Sequence, residues 1–238
     1  MWDILLISFR ESFEAWLIVG IIITFLKTSG RGSLVKPAYL GAIFGIAISL
    51  FLGVTIFSEA STLGEESREI FEATMMLLAA GLVGYFIVWM SHQNRSVTAH
   101  IKTQVEKRTT WIEIFLLSLL SVVREGVELT VFILTKVGTA PSKIIFIAAC
   151  GLAVSLLAAY FIFLAASHYL LKYIFKLLGI MLIFLGAEMF SEGLLEFLPM
   201  SGEEWEVVFS LIFALPAFYI FFKNDFLHWR QERNLKNI

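Results

Sequence analysis

The stretch Arg10-Glu11-Ser12-Phe13-Glu14 and its near-copy Arg124-Glu125-Gly126-Val127-Glu128 decide how this chain of 238 residues folds. Each stretch lies inside a long apolar run. An arginine or acidic residue at the centre of a membrane helix costs about 2.5 to 3.5 kcal/mol to insert, so six unpaired ones would cost on the order of 15 to 20 kcal/mol. Two such clusters indicate charges that are paired and that serve a function.

On a helix, each motif places its charges on one face. Glu11 and Glu14 are three residues apart, and Arg10 and Glu14 are four apart. The second copy has the same spacing, with Arg124, Glu125 and Glu128. If the two faces meet, four carboxylates and two guanidinium groups surround one point. Carboxylate oxygens are hard ligands, so the pattern predicts a site for a hard metal cation.

The composition indicates a membrane protein. The chain is 58% hydrophobic and contains several uninterrupted apolar runs, each of about 20 residues, the length that spans a bilayer as a helix. We therefore expect an all-α polytopic membrane protein. Its single cysteine, Cys150, excludes an intrachain disulfide, and nothing suggests a cysteine-based metal or redox centre.

The apolar runs predict seven transmembrane helices. They lie at about 4–26, 37–58, 69–91, 112–135, 144–166, 172–193 and 205–222. Residues 1–92 form a first three-helix repeat, 93–111 a cytoplasmic connector and 112–193 a second three-helix repeat. Residues 194–238 comprise an outer acidic loop, the seventh helix and a cytoplasmic tail.

Because three is an odd number, the second repeat must enter the membrane upside down. This inverted 3+3 repeat is an architecture in which transporters place their site near the midplane. Small residues at four-residue spacing, which let helix backbones approach closely, mark the second and fifth spans. They are Gly41, Gly45, Ser49 and Gly53 in one, and Gly151, Ser155 and Ala159 in the other.

The distribution of lysine and arginine predicts the orientation. With the N-terminus outside and the C-terminus in the cytoplasm, thirteen basic residues lie in inner segments and three in outer ones. Membrane proteins carry this excess on the cytoplasmic side. The inner residues are Lys27, Arg31, Lys36, Arg95, Lys102, Lys107, Arg108, Lys172, Lys176, Lys223, Arg230, Arg233 and Lys236. The outer residues are Arg68, Lys136 and Lys143.

The predicted outer loops are acidic, and charge of one sign at a pore mouth concentrates counter-ions, here cations. The acids are Glu59, Glu65, Glu66, Glu69, Glu192, Glu196, Glu203, Glu204 and Glu206. They could equally be solvated loop residues. Glu72 and Glu188, inside the third and sixth spans, could lead a cation from this mouth to the central site, or could pair locally with Arg68 or with backbone. The predicted access route therefore comprises Glu65, Glu66, Glu69, Glu72 and Glu188.

The connector is the longest polar stretch. His92, which directly precedes it, and His100 within it could bind a departing ion, or could simply belong to a solvated linker.

At these residues the sequence resembles the oxidase-dependent iron permeases, the FTR/EfeU-type high-affinity iron transporters of fungi and bacteria. Their hallmark is R-E-x-x-E in the first and fourth membrane helices, usually as R-E-G-x-E. The resemblance extends across all seven spans and includes Phe71-Glu72 and the Trp89-Met90 ending of the third. Ser12 departs from the pattern, because glycine is common at that place.

The resemblance implies a multi-pass plasma-membrane permease, in bacteria of the inner membrane, that imports iron. It implies ferric ion, formed by a separate ferroxidase or delivered by a periplasmic or extracellular iron-binding protein. Iron is then a transported substrate, with no prosthetic group, no enzymatic activity and no nucleic-acid partner, and a homo-oligomer is compatible with the sequence. The implied iron ligands are Glu11, Glu14, Glu125 and Glu128, and the charge-balancing residues are Arg10 and Arg124.

Three other interpretations fit the charged motifs. The first is a proton-coupled carrier of another metal cation, such as manganese. The second is an intramembrane enzyme with paired glutamates as acid and base, although no H-E-x-x-H, G-x-S-x-G or paired-aspartate signature is present. The third is a set of buried salt bridges that only pin helices together, which is unfavoured because buried pairs are weak stabilisers.

Overall fold

Long helices make up the described structure. The computed structural model describes residues 2–92, 103–108, 110–165, 168–198 and 202–236, with side chains except at 89–92, 163–165, 168–175 and 224–236. Within these residues there is no strand. The long helices are α1 (Trp2–Thr28), α2 (Val35–Ser61), α3 (Glu65–His92), α4 (Trp111–Leu134), α5 (Pro141–Ala165), α6 (His168–Phe197) and α7 (Glu203–Lys236), and a 3-10 turn, Gly32–Leu34, precedes α2.

Five of the described helices, α2, α3, α5, α6 and α7, are long and apolar enough to cross a membrane. The chain is therefore a multi-pass membrane protein. The helices α1 and α4 are not among the five, and both carry a charged motif. Any 18 consecutive residues of either helix include at least three charged side chains. The predicted count of seven spans and the orientation of the termini stay predictions.

The sequence explains where several helices begin and end. A reciprocal capping box starts α4: the Glu113 N–H donates to Thr110 Oγ1 at 3.3 Å, and the Thr110 N–H donates to Glu113 Oε2 at 3.0 Å. These bonds satisfy backbone donors that would otherwise lack partners at a helix start. In the turn after α1, Gly30 has a φ of 71°, a conformation that glycine adopts without steric cost.

The prediction that the outer acids lie in loops is wrong for the described residues. The structure places all of them in helices, near the ends: Glu59 in α2, Glu65, Glu66 and Glu69 in α3, Glu192 and Glu196 in α6, and Glu203, Glu204 and Glu206 in α7. The apolar runs used for the prediction end before the helices do. Acidic residues favour the first turn of a helix because they interact with the helix dipole, and this extends α3 and α7 beyond their apolar segments.

The chain divides into two compact units, one of residues 1–72 and 95–171 and one of residues 73–94 and 172–238. The first unit contains both charged motifs. Within it, α1 packs against α5 and α4, and α2 packs against α4. The division follows contacts in space, so the predicted sequence repeats stay a prediction.

The small residues of α2 and α5 make the close helix contacts that the sequence predicts. A side chain at Gly45 of α2 would bring its Cβ to 2.9 Å from Val122 Cβ of α4, and one at Gly151 of α5 would lie 2.8 Å from the Leu5 carbonyl oxygen of α1. Real Cβ atoms do not approach so closely, so glycine is required at both crossings. These contacts set the distance between the motif helices and their neighbours.

The second unit is held together by aromatic packing. Phe190 of α6 lies 5.6 Å from Phe213 of α7, between ring centroids. A Cβ at Gly186 would lie 2.9 Å from both the Phe213 ring and Val83 of α3, so a small residue lets this ring fit. Ser210 of α7 donates to Ser191 Oγ of α6 at 3.0 Å.

Candidate metal site

The charges of the first motif are buried in α1. Arg10, Glu11 and Glu14 are each less than one-tenth exposed. The guanidinium of Arg10 pairs with both acids: its Nη1 contacts Glu11 Oε1, and its Nε lies 3.0 Å from Glu14 Oε1. The spacing of three and four residues on a helix brings these groups together, as the sequence predicts.

The second motif repeats this pairing in α4 with a different exposure. Arg124 Nε lies 3.0 Å from Glu128 Oε1 and 3.9 Å from Glu125 Oε1. The Arg124 side chain is 50% exposed, whereas that of Arg10 is 4% exposed. Glu125 is buried and Glu128 is partly buried. The two motifs are therefore alike in sequence and unequal in surroundings.

The two motifs meet at the contact between α1 and α4. Arg10 Nη1 lies 3.9 Å from Glu128 Oε2. Glu11, Glu125 and Glu128 each offer a carboxylate oxygen, and these oxygens lie within 4.8 Å of one another. Oxygens bound to one ion stand about twice the metal–oxygen distance apart at most, roughly 4 to 5 Å for bonds of 2.0 to 2.6 Å. We call Glu11, Glu125 and Glu128 the acidic cluster.

Several oxygens of the acidic cluster have no hydrogen-bond partner among the described residues. They are Glu11 Oε2 and both carboxylate oxygens of Glu125. Buried polar atoms are nearly always hydrogen-bonded or bound to an ion. The Arg124 guanidinium offers Glu125 only the longer contact of 3.9 Å. The acidic cluster thus retains hard oxygen atoms that could bind a cation.

Glu14 lies beside the acidic cluster and is not one of its three members. Its carboxylate pairs with Arg10 through Nε. The predicted set of four carboxylate ligands is thus arranged as three acids around one point, with Glu14 beside them and paired with Arg10. The role of each acid in binding metal stays a prediction.

Close packing against α2 positions the second motif. A Cβ at Gly126 would collide with the side chain of Ser49, so the glycine of the motif leaves space for this serine. Thr130 Oγ1, one turn later, donates to the Gly126 carbonyl at 2.8 Å. In the first motif Ser12 occupies the equivalent place, and its side chain is buried.

The predicted access residues are not members of the acidic cluster. The carboxylate of Glu72 accepts a hydrogen bond from the Gly138 N–H in the turn between α4 and α5. Glu188 is exposed on α6, and its carbonyl accepts a hydrogen bond from Ser191. Glu65, Glu66 and Glu69 are exposed at the start of α3. Glu72 thus pairs with backbone, although the partner is 66 residues away in the sequence, and a transport role for these acids stays a prediction.

The two histidines at the predicted connector, His92 and His100, fall outside the described side chains. His92 ends α3, but its side chain lies outside the described residues, as does all of His100.

The turns that follow α1 and α4 make contacts that no sequence pattern predicts. Lys136 Nζ lies 3.5 Å from Asp3 Oδ2 at the start of α1. Arg31 Nη1 donates to the carbonyls of Val105 and Arg108 at 3.4 and 3.3 Å. From the sequence, Lys136 and Arg31 indicate only the orientation of the chain. No local pattern signals a partner more than 70 residues away.

Comparison with known proteins finds a matching family and several relatives of this chain. A family model described as Iron permease FTR1 family matches residues 1–209. An uncharacterised protein of Archaeoglobus fulgidus is 32% identical over 201 residues, covering 84% of this chain and 71% of that protein. The iron permease EfeU of Bacillus subtilis is 31% identical over 232 residues, covering 92% of this chain and 48% of that protein.

The ferrous iron permease EfeU of Yersinia pestis is 27% identical over 135 residues, covering 54% of this chain and 48% of that protein. The chain thus spans about half the length of these two EfeU relatives. No solved structure matches the chain.

Proposed function

The chain belongs to the iron permease FTR1 family, and on that premise we propose that it imports iron across the plasma membrane through the acidic cluster. The observation that carries the proposal is the approach of Glu11, Glu125 and Glu128, whose oxygens lie within 4.8 Å of one another. Two helices supply these acids, so a cation bound there would join α1 to α4.

The charges of the site support reversible binding of iron. Four ionised carboxylates and two arginines leave two negative charges in excess, which ferrous ion would balance and ferric ion would exceed by one. Arg10 and Arg124 pair with these acids before metal arrives. Because they compete for the same oxygens, the arginines weaken a complex that would otherwise be too tight to release its ion.

Ferric ion is the species that we propose crosses the membrane, after oxidation by a separate protein. The oxygen ligands are hard and suit a trivalent ion. Movement of three charges down an inside-negative potential of about 100 mV would gain about 7 kcal/mol, at roughly 2.3 kcal/mol per charge. A relative is named a ferrous iron permease, so the oxidation state must be measured directly.

The contacts in the first unit support the proposed inverted repeat. The two motifs are 114 residues apart, counted from Arg10 to Arg124. A Cβ at Gly151 would contact the Leu5 carbonyl and Ser8, and one at Gly45 would contact the carbonyl of residue 119 and Val122. Adding 114 to 5 and 8 gives 119 and 122. Gly45 of α2 therefore contacts α4 at positions that correspond to those at which Gly151 of α5 contacts α1.

This equivalence extends to helix pairing. The first motif helix packs on α5, the second helix of the other repeat, and the second motif helix packs on α2. Such exchange is expected when two repeats enter the membrane in opposite directions and share a central site. It supports a midplane site between α1 and α4.

Iron flux into proteoliposomes tests the proposed function. Purified protein would be offered radioactive ferrous iron, ferric iron and manganese in parallel, with Glu125→Gln as the site variant and Glu196→Gln, an exposed position on α6, as the control. We expect iron uptake by the wild-type protein and the control, and at least a tenfold loss in Glu125→Gln. Uptake unchanged in Glu125→Gln contradicts the proposed site, and manganese uptake without iron uptake contradicts the substrate.

A further inference from the structure

Ser118 of α4 has a fully buried side chain, and its Oγ has no hydrogen-bond partner among the described residues. A buried hydroxyl without a partner is unfavourable. A serine within a helix commonly avoids this by donating to a carbonyl of the preceding turn. Ser121, three residues on, does so at 2.7 Å to the Leu117 carbonyl. Ser118 requires another explanation.

Two further helix serines have a buried Oγ without a partner in the described structure, and close helix contacts explain both. Ser8 lies against Gly151, where a Cβ would come within 2.9 Å of it, and Ser49 fills the space beside Gly126. A small side chain is needed at such crossings. Gly41 and Gly45, the α2 glycines nearest this part of α4, have Phe115, Leu119 and Val122 as their nearest contacts, so these two crossings do not account for Ser118.

The position of Ser118 relates it to the acidic cluster. It precedes Glu125 by seven residues, which is two helical turns, so both lie on one face about 10 Å apart along the axis. Ile114 and Val122, one turn to either side of Ser118, belong to a buried apolar group with Val19 and Ile22 of α1. Ser118 therefore places an oxygen among apolar side chains between the acidic cluster and the start of α4.

We propose that Ser118 is a contact point for the cation on its route from the acidic cluster to the inner end of α4. The inference rests on the proposed function. A hydroxyl oxygen is a hard, neutral ligand that can contact a metal ion or one of its bound waters. Because it adds no charge, it would hold the cation more weakly than the acidic cluster and would favour onward movement through an otherwise apolar layer.

The first experiment compares Ser118→Ala with Ser121→Ala, whose hydroxyl already binds backbone. Initial rates of radioactive iron uptake into proteoliposomes and equilibrium binding of the same iron to detergent-solubilised protein would both be measured. We expect Ser118→Ala to transport at least fivefold more slowly with binding unchanged, and Ser121→Ala to stay within twofold of wild type. Equal rates for the two variants would overturn the inference and leave the proposed function intact. Wild-type protein that neither binds nor moves iron would overturn both.

A second measurement covers the case in which Ser118→Ala does not reach the membrane. Ser118→Cys and Ser121→Cys, each combined with Cys150→Ser to remove the natural cysteine, would be treated with a small polar thiol reagent. A route for a hydrated ion predicts that the thiol at position 118 reacts faster, and that iron slows its reaction. A thiol at 118 that reacts no faster than the one at 121 would overturn the inference.

Discussion

Arg10 Nη1 lies 3.9 Å from Glu128 Oε2, so the arginine of the first motif reaches an acid of the second across the α1–α4 contact. This contact joins residues 118 positions apart. It makes Arg10 a partner of both motifs, since the same guanidinium also pairs with Glu11 and Glu14. In the part of the chain that the structure describes, the ion pairs of Arg124 are with acids of its own helix.

The two arginines should differ in their effect on stability. Arg10→Gln leaves buried carboxylates without their counter-charge, and removal of one partner of a buried ion pair costs about 3 to 5 kcal/mol. Arg124→Gln removes a half-exposed side chain, so its loss disturbs less buried charge than the loss of Arg10 does. Thermal unfolding in detergent should therefore show a large loss for Arg10→Gln and a small one for Arg124→Gln. Equal losses would contradict the unequal surroundings.

Glu125 of the acidic cluster should contribute more to iron affinity than Glu14 does. Glu125→Gln removes a charge from oxygens that have no hydrogen-bond partner in the described structure, so we expect at least a tenfold weaker iron affinity. Glu14→Gln alters an acid that Arg10 already holds, and we expect a smaller change in affinity. Equilibrium binding of radioactive iron measures both. A greater loss in Glu14→Gln would place that residue at the centre of the site.

The glycine crossing of α1 and α5 should tolerate no added methyl group. Gly151→Ala would press its Cβ against the Leu5 carbonyl, and overpacking of this kind costs about 1 to 3 kcal/mol. Gly81 of α3 is the matched control, because its added Cβ meets nothing within 4 Å. Gly81→Ala should be neutral or stabilising by up to about 1 kcal/mol through helix propensity. Thermal unfolding of the two variants compares them, and equal stability would contradict the close approach.

Substitutions of Glu72 test whether this acid contributes to iron transport or to the stability of the fold. Glu72→Gln retains an oxygen that can accept the Gly138 N–H hydrogen bond, so we expect normal stability and normal uptake. Glu72→Ala leaves that donor without its acceptor, and we expect a loss of about 1 to 3 kcal/mol. Uptake and thermal stability would be measured for both variants. Loss of uptake in Glu72→Gln with unchanged stability would instead support the predicted access route.

Much of the fold follows from the sequence because its signals are local. Apolar runs and their ends predict helices whose described bounds extend beyond the predicted spans by a few residues in most cases, with α7 extending to Lys236. The pairing of Arg10 with Glu14, and of Arg124 with Glu128, follows from the helical repeat alone. The four-residue spacing of small side chains in α2 and α5 likewise indicates close helix crossings.

The contacts between distant segments required the tertiary structure. The sequence groups four glutamates, but only the packing of α1 against α4 separates Glu14 from the acidic cluster and buries Arg10 more deeply than Arg124. The same holds for Glu72 and Gly138, and for the buried Ser118. A helical repeat determines which side chains share a face. It does not determine which faces meet or how deeply each charge is buried, because these depend on the packing of helices that are far apart in the chain.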